Sequence, residues 1–135
     1  MSALRSETTI GGKILRDITF RGKSVKSGEW VYGYLIGRVE NSGRPCQGKY
    51  FIDNGEPFNT AVEVDPQTIG QNTGFADIDG DDVYEGDLVG ILGEDGEYVV
   101  RWDFETCAFY AGHRILGACL DVFPHGTIYD REDKG

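Results

Sequence analysis

Apolar side chains fall along this chain in short β-branched and aromatic runs that alternate with polar residues in part, separated by clusters of glycine, proline, asparagine and aspartate. That pattern predicts a mainly β protein of many short strands. Residues 1–13 hold few apolar side chains and end in Gly11-Gly12, so they are expected to form a flexible arm. Lys13 to Phe20 carries Ile14, Ile18 and Phe20 and reads as a strand, after which Arg21-Gly22-Lys23 begins a loop that Ser27-Gly28 closes.

The clearest strand is Glu29 to Val39, EWVYGYLIGRV. Trp30, Tyr32, Tyr34 and Ile36 fall on one face and Val31, Gly33, Leu35 and Gly37 on the other, which predicts a second layer packed closely over the two glycines. Residues 41–45, NSGRP, make a turn, and Lys49 to Asp53 returns as the second arm of a hairpin. After another turn at Asn54-Gly55-Glu56-Pro57, a short strand is expected at Ala61 to Val64. Asp65-Pro66 ends it and leads into a single turn of helix over Pro66 to Ile69.

Thr68 to Val89 holds the densest turn chemistry, with Asp79-Gly80 as a tight turn between two short strands. Glu94-Asp95-Gly96-Glu97 predicts a second hairpin, whose arms are Leu88 to Leu92 and Tyr98 to Trp102. Phe104 to Ala111 is expected to continue the sheet. Ile115 to Phe123 fits either a short strand or a buried helical turn, and Gly126 to Asp130 is expected to be the last strand. The organisation expected is a flexible arm (1–13), an N-terminal β subdomain (14–64), a C-terminal β subdomain (65–130) and a tail (131–135).

Composition adds that the chain folds: 39% of its 135 residues are hydrophobic and 27% charged. No apolar run approaches the roughly 20 residues of a membrane helix, and the first residues lack a signal-peptide core, so a cytoplasmic protein without membrane contact is expected. Three cysteines, Cys46, Cys107 and Cys119, are read as reduced thiols rather than a disulfide framework.

The net charge of −10 is unevenly placed. Residues 1–49 carry nine Lys and Arg against four Asp and Glu, and residues 50–100 carry thirteen acids and no Lys or Arg. Opposite patches on one chain allow head-to-tail contact between copies, so a homo-oligomer is expected, with an unidentified protein partner besides. The acidic centre repels a phosphate backbone and makes nucleic acid the less favoured partner.

Three motifs carry candidate chemistry. Asp77-x-Asp79-x-Asp81 matches the opening of a calcium loop, but Asp82 stands where the turn glycine belongs and Leu88 where the bidentate glutamate belongs. A solvated acidic turn is the preferred reading. Cys107, His113, Cys119 and His125 recur every six residues, which is too wide for a zinc finger, and nothing marks either histidine as part of a catalytic site. Gly70 to Gly74 lacks the Lys-Ser/Thr of a phosphate loop. No catalytic residue, cofactor or metal is therefore assigned.

The remaining candidate is a surface: Arg21 and Lys23 lie close in sequence to the aromatic positions Trp30, Tyr32 and Tyr34. Core packing is the preferred role for those rings, and a stacking or interaction surface is the alternative.

Four blocks together resemble the YopX family of small phage and prophage proteins. They are Phe20-Arg21-Gly22-Lys23, then Glu29 to Ile36, then Thr68 to Gly74 with Phe75 and Asp77, and lastly Val83-Tyr84-Glu85-Gly86-Asp87-Leu88-Val89. The resemblance runs from about Ile14 to Tyr129, with Asn72 standing where an aromatic is common. It implies a mainly β fold in which an N-terminal β-sheet subdomain packs on a small C-terminal SH3-like barrel, opened by the Glu85-Gly86-Asp87 turn. It implies no settled activity. The expected function is a non-enzymatic phage or prophage accessory protein that acts as an interaction module. The alternative is a nucleic-acid-associated regulator or an acidic nucleic-acid mimic.

Overall fold

A computed structural model describes residues 7–37, 49–57, 60–119 and 121–132. Thirteen antiparallel strands account for most of them: β1 (Glu7–Ile10), β2 (Lys13–Arg16), β3 (Phe20–Lys23), β4 (Trp30–Gly37), β5 (Tyr50–Asp53), β6 (Val62–Val64), β7 (Gly70–Ala76), β8 (Asp82–Tyr84), β9 (Asp87–Ile91), β10 (Tyr98–Asp103), β11 (Ala108–Ala111), β12 (Arg114–Ile115) and β13 (Val122–Thr127). The protein is mainly β, as the alternating pattern predicts. No helix among the described residues is long and apolar enough to cross a membrane.

The chain divides into two compact units. The first is Ile18–Gln71, and the second takes in the residues before it and those from Asn72 onward. In the first unit β6, β5, β4 and β3 lie side by side in that order. The expected hairpin between β4 and β5 is present, with Tyr34 opposite Asp53 and Ile36 opposite Phe51. Its turn at 41–45, together with Cys46, lies outside the described residues.

Arg21-Gly22-Lys23, expected to begin a loop, instead completes β3 and pairs residue for residue with β4. The reason is tertiary: Gly22 lies against the Val64 side chain, where a Cβ would stand 3.0 Å from that of Val64. The end of β3 also bonds to β6, through Val25 N to the Glu63 carbonyl at 3.0 Å and Asp65 N to the Lys23 carbonyl at 2.9 Å. The buried side of this unit carries Ile52 and Val64. After Asp65 comes the expected helical turn, a 3₁₀ turn over Pro66–Thr68, with the Asp65 carboxylate accepting from Gln67 N at 3.0 Å.

The second unit is built on a five-stranded sheet in the order β12-β11-β10-β9-β13. Val83, Val89, Ile91, Val100, Phe109, Ala111, Leu116 and Val122 form its buried core, and Phe75, Tyr98 and Trp102 pack against them. Tyr98, Val100 and Trp102 share a face, as their alternation predicts. The Asp79-Gly80 turn forms between β7 and β8, with Gly80 at φ 86 and its N–H donating to the Asp77 carbonyl at 2.9 Å. Positive φ is costly for a residue with a Cβ, which is why glycine stands there.

Three segments of this unit differ from expectation. Where a flexible arm is expected, β1 and β2 pair as a two-stranded ribbon turning on Gly11-Gly12. Phe104 to Cys107 is a turn rather than a continuing strand, and it is held by Asp103 Oδ2, which accepts from the Thr106 hydroxyl at 2.6 Å and from Thr106 N at 3.2 Å. Residues 115–123, compatible with strand or helical turn, use both: β12 ends at Ile115, a 3₁₀ turn covers Leu116–Ala118, and β13 begins at Val122.

The last strand therefore ends at Thr127, and a helical turn over Ile128–Glu132 replaces the strand expected at Gly126 to Asp130. Thr127 Oγ1 accepts from Tyr129 N at 3.1 Å and from Asp130 N at 3.0 Å, which satisfies two donors at the start of that turn.

Candidate interaction face

The first unit presents an aromatic face outward. Alternation along β4 directs Trp30, Tyr32, Tyr34 and Ile36 to one side, while Val31, Gly33 and Leu35 face the side that holds Ile52 and Val64. Tyr32, Tyr34 and Ile36 are 49%, 46% and 47% exposed, so these rings are not core residues as preferred from the sequence. At the two glycines the nearest neighbours come from within the sheet. Gly33 is crowded by the backbone of the adjacent strand at Asp53 and Asn54, and Gly37 by the Tyr50 ring, so the small residues let β5 approach β4 within one sheet.

All five sequence-predicted residues fall on one face of the sheet, four of them at least partly exposed and Arg21 buried. Antiparallel register sets Arg21 opposite Tyr32 and Lys23 opposite Trp30. The Arg21 guanidinium lies 4.5 Å from the Trp30 ring centroid and the Lys23 ammonium 5.4 Å, so both cations pack against the indole. Such contacts stabilise by about 0.5–1 kcal/mol each at exposed positions and more when desolvated. Arg21 is buried, which makes its role one of fixing Trp30, whereas Lys23 is only half-buried. Asp53 joins the same face opposite Tyr34, and its Oδ1 accepts from Gly55 N at 3.1 Å. Sequence reasoning did not assign Asp53 to this face. Its only signal is the hairpin register, which a turn of unknown length leaves open.

The other candidate chemistries resolve into local structure. Asp77, Asp79 and Asp81 bring carboxylate oxygens within 4.8 Å of one another. Asp77 Oδ1 accepts from Asp79 N at 2.9 Å and from Asp81 N at 3.0 Å, so this carboxylate closes the turn it begins. The Cys-His series is dispersed: Cys107 Sγ lies 3.7 Å from the Phe104 carbonyl, Cys119 Sγ lies 3.5 Å from the Ile115 carbonyl, His113 meets the Tyr98 ring edge-on, and His125 Nδ1 lies 2.8 Å from Glu97 Oε2. Cys107 and Cys119 are free thiols. Burial pushes the Cys119 thiol above its usual range, Arg114 nearby pulls it down and Glu94 raises it.

The glycine-rich stretch after Thr68 is a strand with an irregular register. Pairing with β8 moves from Asn72↔Tyr84 to Ala76↔Asp82, so β7 carries two extra residues there. Thr73 Oγ1 donates to the Val83 carbonyl at 2.8 Å and accepts from Phe75 N at 3.2 Å, and Asn72 Oδ1 accepts from Gly74 N at 2.9 Å. Buried backbone groups that the bulge leaves out of the ladder are thereby satisfied. Glu85-Gly86-Asp87 is equally structural. Asp87 Oδ2 accepts from Tyr84 N at 2.8 Å, while Gly86 N donates to the Val100 carbonyl at 2.9 Å and its carbonyl accepts from Ile128 N at 3.0 Å.

These blocks are the ones by which a family would be recognised, and the family model described as YopX protein matches residues 19–129. The chain belongs to the YopX family. No curated protein and no solved structure matches it. The matched span includes β3 to β13 and so takes in both the aromatic face and the Glu85-Gly86-Asp87 turn.

Proposed function

We propose that this YopX protein is a non-enzymatic phage or prophage accessory protein that works as an interaction module, with the Trp30-Tyr32-Tyr34 face as its contact surface. The observation that carries this reading is the row of half-exposed aromatic and aliphatic side chains on β4, with Trp30 packed against the Arg21 and Lys23 cations. Rigid aromatic anchors lose little entropy on binding and are the side chains that most often dominate protein contacts. The second unit is read as an SH3-like barrel. Its strand order β12-β11-β10-β9-β13 and the 3₁₀ turn before the last strand support that reading.

A second reading is recognition of single-stranded nucleic acid, favoured by the cations stacked beside exposed rings. Burial of Arg21 and the carboxylate of Asp53 on the same face weigh against it. The test is a photo-crosslinking amino acid at position 34, with capture in cells of a bacterial host. Adducts to protein are expected, and adducts that consist of nuclease-sensitive nucleic acid would replace the first reading with the second.

A further inference from the structure

The same face carries its own complement. Lys23 stands opposite Trp30 on one flank of β4, and Asp53 stands opposite Tyr34 on the other flank. With strands about 4.8 Å apart and a rise of about 3.4 Å per residue, the backbone positions of the two residues lie at opposite corners of the patch, roughly 17 Å apart. Tyr32 is at the midpoint of that diagonal, since it lies two residues from Trp30 and two from Tyr34 on the central strand.

A two-fold axis lying in the plane of contact, through Tyr32 and across the diagonal, exchanges the two corners. Lys23 of each copy then meets Asp53 of the other, and the two Tyr32 rings meet at the centre. An isologous interface requires this self-complementarity: residue i must suit residue j on one and the same surface.

We infer that the Trp30-Tyr32-Tyr34 face takes a second copy of this chain, forming a two-fold dimer closed by two Lys23–Asp53 pairs around apposed Tyr32 rings. The inference rests on the reading of this face as a contact surface and adds the identity of the partner. Charge complementarity favours a second copy over nucleic acid. A phosphate backbone would meet Asp53 as well as Lys23, whereas a second copy presents each charge with its opposite. An ammonium has three donors, so Lys23 can lie over Trp30 and still reach a carboxylate, and Asp53 uses Oδ1 for the Gly55 turn while keeping its second oxygen.

Charge reversal with mixing tests the geometry. The wild-type chain is expected to sediment as a dimer. Lys23→Asp and Asp53→Lys should each dissociate about tenfold or more readily, because each turns both attractions into repulsions. An equimolar mixture of these two single variants should form heterodimers, in which both pairs are attractive again, and the Lys23→Asp/Asp53→Lys double variant should recover self-association. Since Asp53 also closes a turn, Asp53→Asn keeps that acceptor and removes only the charge, and should weaken the dimer while the circular dichroism and melting temperature stay unchanged. Tyr32→Ala should weaken it as well.

A wild-type chain that is monomeric at all concentrations, or charge-reversed variants that fail to associate on mixing while folded, would overturn the inference. Crosslinking from position 34 to a different protein, by a chain that is itself monomeric, would remove the dimer and leave the contact reading standing.

Discussion

Gly86 and Tyr129 are packed so closely that a Cβ added to Gly86 would stand 2.7 Å from the Tyr129 ring. The two residues join the turn before β9 to the helical turn after β13, and the bond from Ile128 N to the Gly86 carbonyl at 3.0 Å fixes their approach. Gly86 also has φ 91, so both its backbone conformation and its surroundings exclude a side chain. Gly86→Ala is therefore expected to destabilise the second unit by about 2–4 kcal/mol, combining the positive-φ cost with overpacking. Urea denaturation followed by tryptophan fluorescence measures it, and a midpoint equal to that of the wild type would contradict the described packing.

Gly33 permits strand pairing rather than a turn. A Cβ at this position would collide with the Asp53 carbonyl of the neighbouring strand. Because the obstacle is backbone, no rotamer change relieves it. Gly33→Ala should separate β4 from β5, cost about 3 kcal/mol or more, and raise amide exchange at Ile52, which pairs with Leu35 two positions beyond. Exchange in the second unit serves as the internal comparison.

Thr73 is 1% exposed, and its hydroxyl serves two backbone groups of the bulge, the Val83 carbonyl and Phe75 N. Thr73→Val keeps the shape and leaves both groups without that partner. A loss of about 1–3 kcal/mol is expected, whereas Thr73→Ser should retain most of the stability. Thermal melts of the two variants side by side separate the hydroxyl from the methyl.

Cys119 should prove the slower thiol of the two described. Burial raises its pKa and disfavours the thiolate, the nucleophilic form, while Cys107 is exposed at a turn. Mass spectrometry after brief iodoacetamide treatment near neutral pH should find Cys107 modified first, with Cys119 following only as pH rises or the fold opens. The linkage has a definite sign. A folded-state pKa above the unfolded one contributes stability that is complete below the unfolded pKa and is lost as pH rises through the folded value. Stability should thus decline on the alkaline side more steeply in the wild type than in Cys119→Ser.

Much of the fold could be read from the chain because strand periodicity and turn chemistry are local. That Trp30, Tyr32, Tyr34 and Ile36 share one face of β4 follows from alternation alone, the Asp79-Gly80 turn from its residue types, and the Asp65-Pro66 break from the missing proline donor. The helical turn after Thr127 also had a local signal, Thr127 with Asp130 three residues on, which the β-rich surroundings obscured.

What the sequence could not determine is which side of an apolar strand meets the core. Both faces of β4 carry apolar groups, so its orientation was set by neighbours distant in sequence: Ile52 and Val64 on the buried side, with Gly33 and Gly37 small enough to admit β5. Tertiary structure likewise turned Arg21-Gly22-Lys23 from loop to strand, because the backbone there found partners in β4 and β6 that no local propensity encodes. The placement of Lys23 and Asp53 at opposite corners of one face is of the same kind. Alternation decides which side a residue takes, but only the register between strands decides what stands beside it.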